Sequence, residues 1–190
     1  MRERQIEQYF KARAKEIQRL LKDRSPWGFV CAAAFLDCLS KLVAGKDDKR
    51  NGYKTFVKNY LARVNPIYLS FRYKSGAKDL PDQLYHVLRC GIVHQFSLVP
   101  DEQSLKNGGR LRSIVLCHRK ESKRRNLPHL SSYSSGKSPD AAVFVAEDFA
   151  KDLMDTVRFI FSSQAKTVNP EIVKNIEEWV EKYPPIMGGF

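Results

Sequence analysis

Paired cysteines, catalytic carboxylate pairs and a long apolar run are all missing from this chain. Cys31, Cys38, Cys90 and Cys117 form no C-x-x-C pair, and no Cys/His cluster has zinc-finger spacing. Cys31 and Cys38 are seven apart, so on a helix they share a face and do not bridge. All four read as free thiols in a reducing compartment, which argues against a disulfide framework and a structural zinc site. No metal or other cofactor is implied. No Ser-His-Asp, H-E-x-x-H or paired-carboxylate arrangement is visible, and Gly108-Gly109 is too short to cradle a phosphate. The Met1–Glu7 stretch holds no apolar signal core. The longest apolar stretch, Trp27–Leu36, meets Asp37, Ser40 and Lys41 before the roughly 20 residues of a membrane span are reached. The expectation is a soluble cytoplasmic protein with no membrane partner.

Acidic residues are also short. Asp and Glu total 21 against 33 Lys and Arg, a formal net charge of +12. A basic domain attracts polyanions, of which nucleic acid is the commonest. Hydrophobic residues make up 43% of the 190, enough for a full core in one domain of this length.

What is present is mostly helical periodicity. Residues 2–22 place Ile6, Tyr9, Phe10, Ile17, Leu20 and Leu21 on one face. Ser25-Pro26 starts a second helix, reaching about Val43. It is apolar nearly all round, which suits the centre of a bundle, and Ala32, Ala33 and Ala34 allow close approach by a neighbour. After a polar loop from Gly45 to Gly52, residues 53–63 form a third helix with Tyr53, Phe56, Val57, Tyr60 and Leu61 on one face. Asn65-Pro66 interrupts it, and Ile67–Tyr73 reads equally as a short helix or an extended piece. Residues 80–97 form a fourth helix with Leu84, Val87, Leu88 and Ile92 as core candidates. Leu111–Cys117 and Ala141–Ala146 read as strands that pair as a long hairpin, with Pro128–Tyr133 as a third short strand and residues 131–138 as a hairpin tip. A fifth helix runs from Glu147 to about Ala165, and a sixth from Asn169-Pro170-Glu171 to near Tyr183. The expected fold is mainly α, a bundle of five or six helices in a single domain over residues 1–190. It carries a basic β-hairpin insertion at 107–146 and C-terminal helices at 147–183.

Two groups of residues could carry chemistry. Arg89 and His94 interrupt the apolar pattern of the fourth helix. On an α-helix, five residues mean about 7.5 Å of rise and about 140° of rotation, so the two flank a shared edge. Imidazole exchanges protons near neutral pH and guanidinium forks onto phosphate oxygens. Together they suit metal-free phosphodiester cleavage. His86, Cys90 and Asp37 are further cleft candidates, and Asp37 and Lys41 have the spacing of an ion pair. The second group is Lys106, Arg110, Arg112, Arg119, Lys120, Lys123, Arg124 and Arg125, opposed only by Glu121, a local charge of +7. It reads as a nucleic-acid-binding surface, with His118, His129 and Tyr133 near enough in sequence to stack on or bond bases. Tyr53, Tyr60 and Tyr68 read as core aromatics with wet hydroxyls.

The run Leu84-Tyr85-His86-Val87-Leu88-Arg89-Cys90-Gly91-Ile92-Val93-His94 resembles the R-x4-H motif of the HEPN superfamily (higher eukaryote and prokaryote nucleotide-binding domains). The wider resemblance covers about residues 26–165, through FVCAAAFLDCLSKL and GYKTFVKNYL. It implies a homodimer in which two motif helices line a composite cleft. It implies, as one activity, a metal-independent endoribonuclease of toxin, defence or stress type, acting through 2′-hydroxyl attack that leaves a cyclic phosphate. Arg89 would then contact phosphate and His94 transfer protons. An antitoxin or nucleotidyltransferase partner is a further implication. After the motif Arg the family often has Asn, Asp or His; here Cys90 stands there. A non-catalytic RNA- or nucleotide-binding module is therefore the alternative, and a helical protein-interaction domain a further one.

Overall fold

The computed structural model describes residues 3–23, 25–45, 49–73, 79–95, 113–134 and 141–183. Helix α1 (Glu3–Lys22) buries Ile6, Phe10, Ala14, Ile17 and Leu21, one stripe at helical spacing. Helix α2 (Pro26–Ala44) follows, with Ser25 as N-cap and Pro26 in its first turn. It ends at Gly45, whose φ of 66° is the left-handed cap that favours glycine, and whose N–H donates to the Lys41 carbonyl at 3.0 Å. As the all-apolar pattern predicts, α2 is central. Ala32, Ala33, Leu36, Leu39 and Leu42 are fully buried, and α1 packs along it. By length and composition, Trp27–Ala44 does pass as a membrane-crossing helix, at mean hydropathy 1.6, because Asp37 and Lys41 are its only charges. The buried core helix of a globular bundle passes the same test, and 56% of this window is buried inside the fold.

The third helix starts earlier than its apolar face suggests. Helix α3 (Lys49–Phe56) runs on through a π-wound stretch (Val57–Leu61) into α4 (Ala62–Val64). Tyr53, Phe56, Val57, Tyr60 and Leu61 all face the core. Ile67–Tyr73 is partly both alternatives: a one-turn helix, α5 (Ile67–Ser70), then irregular chain. Asp79 caps α6 (Leu80–Gln83), accepting from the Asp82 N–H at 3.0 Å. The chain then continues without a break as a π-helix, Leu84–Gln95.

The β region differs from the expected hairpin. Strand β1 (Ile114–Cys117) lies parallel to β3 (Ala141–Val145), pairing Ile114 with Ala142 and Cys117 with Val145. A parallel pair needs a crossover. The chain between the two strands supplies it. Its described part contains helix α7 (Arg119–Arg125) and the short strand β2 (Ser132–Tyr133), which pairs antiparallel with β3 from the other side. The sheet order is β1-β3-β2. The central strand, Ala-Ala-Val-Phe-Val, is buried throughout, as a strand covered on both faces should be. Alternation marked the first strand and an apolar run the other, but neither pattern encoded their direction.

Strand β3 runs directly into α8 (Ala146–Ile160). The expected fifth helix is broken at Phe161–Ser162, where the Ser162 hydroxyl accepts from the Ala165 N–H and starts α9 (Ser163–Val168). Helix α10 (Ile172–Lys182) buries Ile172, Ile176 and Val180. One continuous hydrophobic cluster joins Ile6 of α1 to Val180 of α10. The described chain is thus mainly helical with a small mixed sheet.

Gly28 sits where α2 meets the end of α1. A Cβ there would lie 2.8 Å from the Leu21 backbone nitrogen. Gly28→Ala should therefore destabilise the fold by about 1–3 kcal/mol through overpacking. Helix propensity alone would predict a gain of roughly 0.5–1 kcal/mol. A denaturant midpoint that rises rather than falls would contradict this close approach.

Candidate functional site

The motif helix changes the geometry that α-helical spacing suggests. In i→i+5 winding, residues five apart are about one turn apart, so the backbones of Arg89 and His94 lie about 50° apart around the axis instead of about 140°. π-winding is rare, and single-turn π-bulges inside α-helices are frequent at functional sites. The His94 side chain lies outside the described residues, as does that of Ile92.

Arg89 is held from several directions. Its Nε donates to Asp37 Oδ1 at 3.2 Å, its Nη1 to Cys90 Sγ at 3.6 Å, and its guanidinium lies 5.5 Å from the centre of the Tyr85 ring. The other Asp37 oxygen receives Lys41 Nζ at 3.2 Å, the i,i+4 ion pair expected on α2. One carboxylate therefore joins α2 to the motif helix. Burial works against the Arg89 charge, but the hydrogen bonds to Cys90 and Asp37 outweigh it and hold the guanidinium above its ordinary pKa. Arg89 and Asp37 side chains are each only 18% exposed, so the pair is fixed yet still reachable from solvent.

Behind Arg89 stands Tyr53 of α3, edge-on to Tyr85 at 5.8 Å. Its hydroxyl is buried, not wet as expected, and has no hydrogen-bond partner among the described residues. Burial raises its pKa, Asp37 adds to this, and Arg89 opposes it. His86 lies beside Tyr85, its Nε2 4.0 Å from Asp82 Oδ1, an oxygen that also accepts from Lys54 Nζ at 2.9 Å. His86 thus turns toward Asp82 on its own helix, one turn back.

A cleft of about 400 Å³ opens on the other side of the Asp37–Lys41 pair. Ala34, Asp37, Cys38 and Lys41 of α2 form one wall; Trp179 and Lys182 of α10, with Tyr183 just beyond, form the other. Burial, with Asp37 adding and Lys41 opposing, pushes the Cys38 thiol up to about 11. It stays protonated at neutral pH and is no nucleophile.

The basic surface falls on α7 rather than on a hairpin. Arg119, Lys120, Lys123, Arg124 and Arg125 are all exposed on it. Arg119 pairs with Asp148 at 2.7 Å, and Arg125 approaches Glu121 at 3.7 Å. Three of the cations occupy the last turn, where the helix dipole favours them. Lys106, Arg110 and Arg112 lie outside the described residues. Both suggested base-contacting histidines are otherwise engaged. His118 Nδ1 faces Glu147 Oε1 at 3.6 Å. His129 is buried, its Nδ1 accepting from the Val145 N–H at 3.0 Å, so its proton sits on Nε2, which faces Asp152 Oδ2 at 3.4 Å.

That Asp152 centre escaped sequence reasoning. Its Oδ2 also accepts from Tyr68 Oη at 3.1 Å and Asn65 Nδ2 at 3.0 Å. Three residues from two distant segments converge on this carboxylate, and only the helical spacing that points Asp152 inward beside Leu153 hinted at it. The Tyr68 hydroxyl, read as wet, is fully buried, and burial together with Asp152 drives its pKa well up. The network locks β3, α5 and α8: His129 Nδ1 is bonded to the Val145 N–H, while its buried Nε2 faces the Asp152 carboxylate without a hydrogen-bond partner among the described residues. Among the described residues, no cluster of three or more His, Cys, Asp or Glu is placed to hold a metal ion.

Comparison with family models, with curated proteins and with solved structures returns no match.

Because the Tyr68 hydrogen bond ends on a buried carboxylate, Tyr68→Phe should cost about 1.5–3 kcal/mol in a denaturant titration. An unchanged midpoint would mean that the carboxylate is satisfied without it.

Proposed function

We propose that this chain is an RNA-directed, HEPN-like protein that cleaves RNA without a metal, at a composite cleft formed by two copies of its motif helix. The observation that carries the reading is Arg89: a guanidinium fixed by Asp37, on a π-wound segment that brings its backbone one turn from that of His94. The exposed cations of α7 support a long anionic ligand over a small one, because they lie on a different element from the motif.

The chemistry follows from the parts. The substrate's 2′-hydroxyl oxygen bonds to phosphorus while the bond to the 5′ oxygen breaks, leaving a cyclic phosphate and a free 5′-hydroxyl. A neutral imidazole takes the 2′-hydroxyl proton, and an imidazolium gives one to the departing oxygen. A homodimer with two copies of His94 supplies one of each. Arg89 stabilises the charge that builds on the non-bridging oxygens, with Asp37 fixing the direction of its donors. Cys90, where family members often have a polar group, offers only a weak acceptor to Arg89 Nη1. That contact favours the second reading, an RNA-binding module that does not cut.

Incubation of labelled RNA with the protein in EDTA tests the proposal. The expected result is cleavage that persists in chelator, yields cyclic-phosphate ends, and falls about 10²–10⁴-fold in His94→Ala. Salt-sensitive binding without cleavage would select the module. Neither binding nor cleavage would overturn the RNA reading.

A further inference from the structure

The geometry points to a nucleobase-stacking subsite in the cleft between α2 and α10, where one base of a single-stranded RNA lies against Trp179 and Tyr183 while its phosphate reaches Lys41 and Arg89. This rests on the RNA reading above and adds a site to it. The two aromatic rings come from adjacent turns: the Tyr183 N–H donates to the Trp179 carbonyl at 2.8 Å, and the ring centres are 5.6 Å apart. Trp179 is partly buried against Phe10, which fixes its plane, whereas Tyr183 is 50% exposed. The two rings are inclined at 45°, so a base stacks face-on to one and meets the other obliquely, and stacking accepts any base because every base has a π-face.

The polar groups are placed for the rest of a nucleotide. Lys182 lies 5.3 Å from the Tyr183 ring, and Lys41 faces it from the α2 wall. Lys41 shares the Asp37 carboxylate with Arg89, so the cleft and the motif residue are separated by one side chain. A strand whose phosphate sits on Arg89 therefore has its neighbouring base at the mouth of the cleft. The volume of about 400 Å³ falls at the lower end of small-ligand pockets, the right scale for a base with its sugar. Ala34 explains why the space exists. Ala32 and Ala33 are buried against the core, but Ala34 is exposed and contributes only a methyl group to the cleft wall.

Fluorescence anisotropy with a short, labelled 2′-O-methyl RNA, which cannot be cleaved by 2′-hydroxyl attack, tests the subsite. The comparison strand is an abasic oligomer of equal length and charge. Tyr183→Ala removes an exposed platform ring, and Ala34→Leu fills the cleft from an exposed position while removing no polar group. Both should weaken binding of the base-bearing strand about five- to hundred-fold, the loss that alanine substitution of a stacking residue causes. Neither should change binding of the abasic strand or the salt slope, since no cation is lost. If the wild-type protein binds both strands equally and neither substitution matters, the subsite is wrong and the RNA reading stands. If the wild-type protein binds neither strand at low salt, both fail together.

Discussion

Asp37 is the sole acidic residue in the apolar stretch Trp27–Ala44, and both oxygens of its carboxylate are committed to cations. A lone carboxylate on a core helix costs free energy unless it is paired. Here the pairing joins helices 52 residues apart in sequence, through Arg89. The arrangement has two effects. It satisfies a charge that the bundle would otherwise exclude, and it removes the rotamer freedom of a long side chain on the motif helix. A guanidinium already oriented spends less free energy on ordering when an anion arrives. The same carboxylate sets the boundary between Arg89 and the α2–α10 cleft, so the two parts of the proposed RNA site share a wall.

The sheet performs a different task. Its central strand β3 is buried on both faces and flows straight into α8, and the Asp152 network clamps that junction from three sides. Leu130 adopts a left-handed φ of 55°, unusual for a branched apolar residue, and is held there by burial and by its N–H donating to the Val143 carbonyl at 2.7 Å. The turn that leaves α7 is therefore fixed to the sheet. This gives the five cations of α7 a rigid base, with their charges projecting to solvent instead of lying on a loose hairpin.

Much of this was legible in the sequence because helices write their environment as a periodic stripe. The inward faces of α1, α3, α8 and α10 followed from spacing, and so did the central place of α2. The Asp37–Lys41 pair followed from a separation of four. Three things were not legible. The β3 run Ala-Ala-Val-Phe-Val is apolar throughout and fits a covered strand of either direction, so the β1–β3 direction waited for the fold. π-winding of Leu84–Gln95 has no composition of its own; it turned a pair expected to flank an edge into one set about a turn apart. The Asp152 network reaches 84 and 87 positions along the chain and the α2–α10 cleft more than a hundred, and no local pattern reports such contacts. The resemblance to the HEPN motif rested on a short segment, and it remains the source of the roles assigned to Arg89 and His94.

Asp37 acts as a positioning residue for Arg89, and the proposed site depends on it. Simple electrostatics makes the opposite forecast, because removing a negative charge near a polyanion should tighten binding. A double-mutant cycle separates the two. Affinity for uncleavable RNA is measured in wild type, Asp37→Asn, Arg89→Gln and the double variant. The account predicts that Asp37→Asn weakens binding, that the loss disappears once Arg89 is gone, and that the coupling lies at about 0.5–3 kcal/mol. Tighter binding in Asp37→Asn, or effects that simply add, would contradict it.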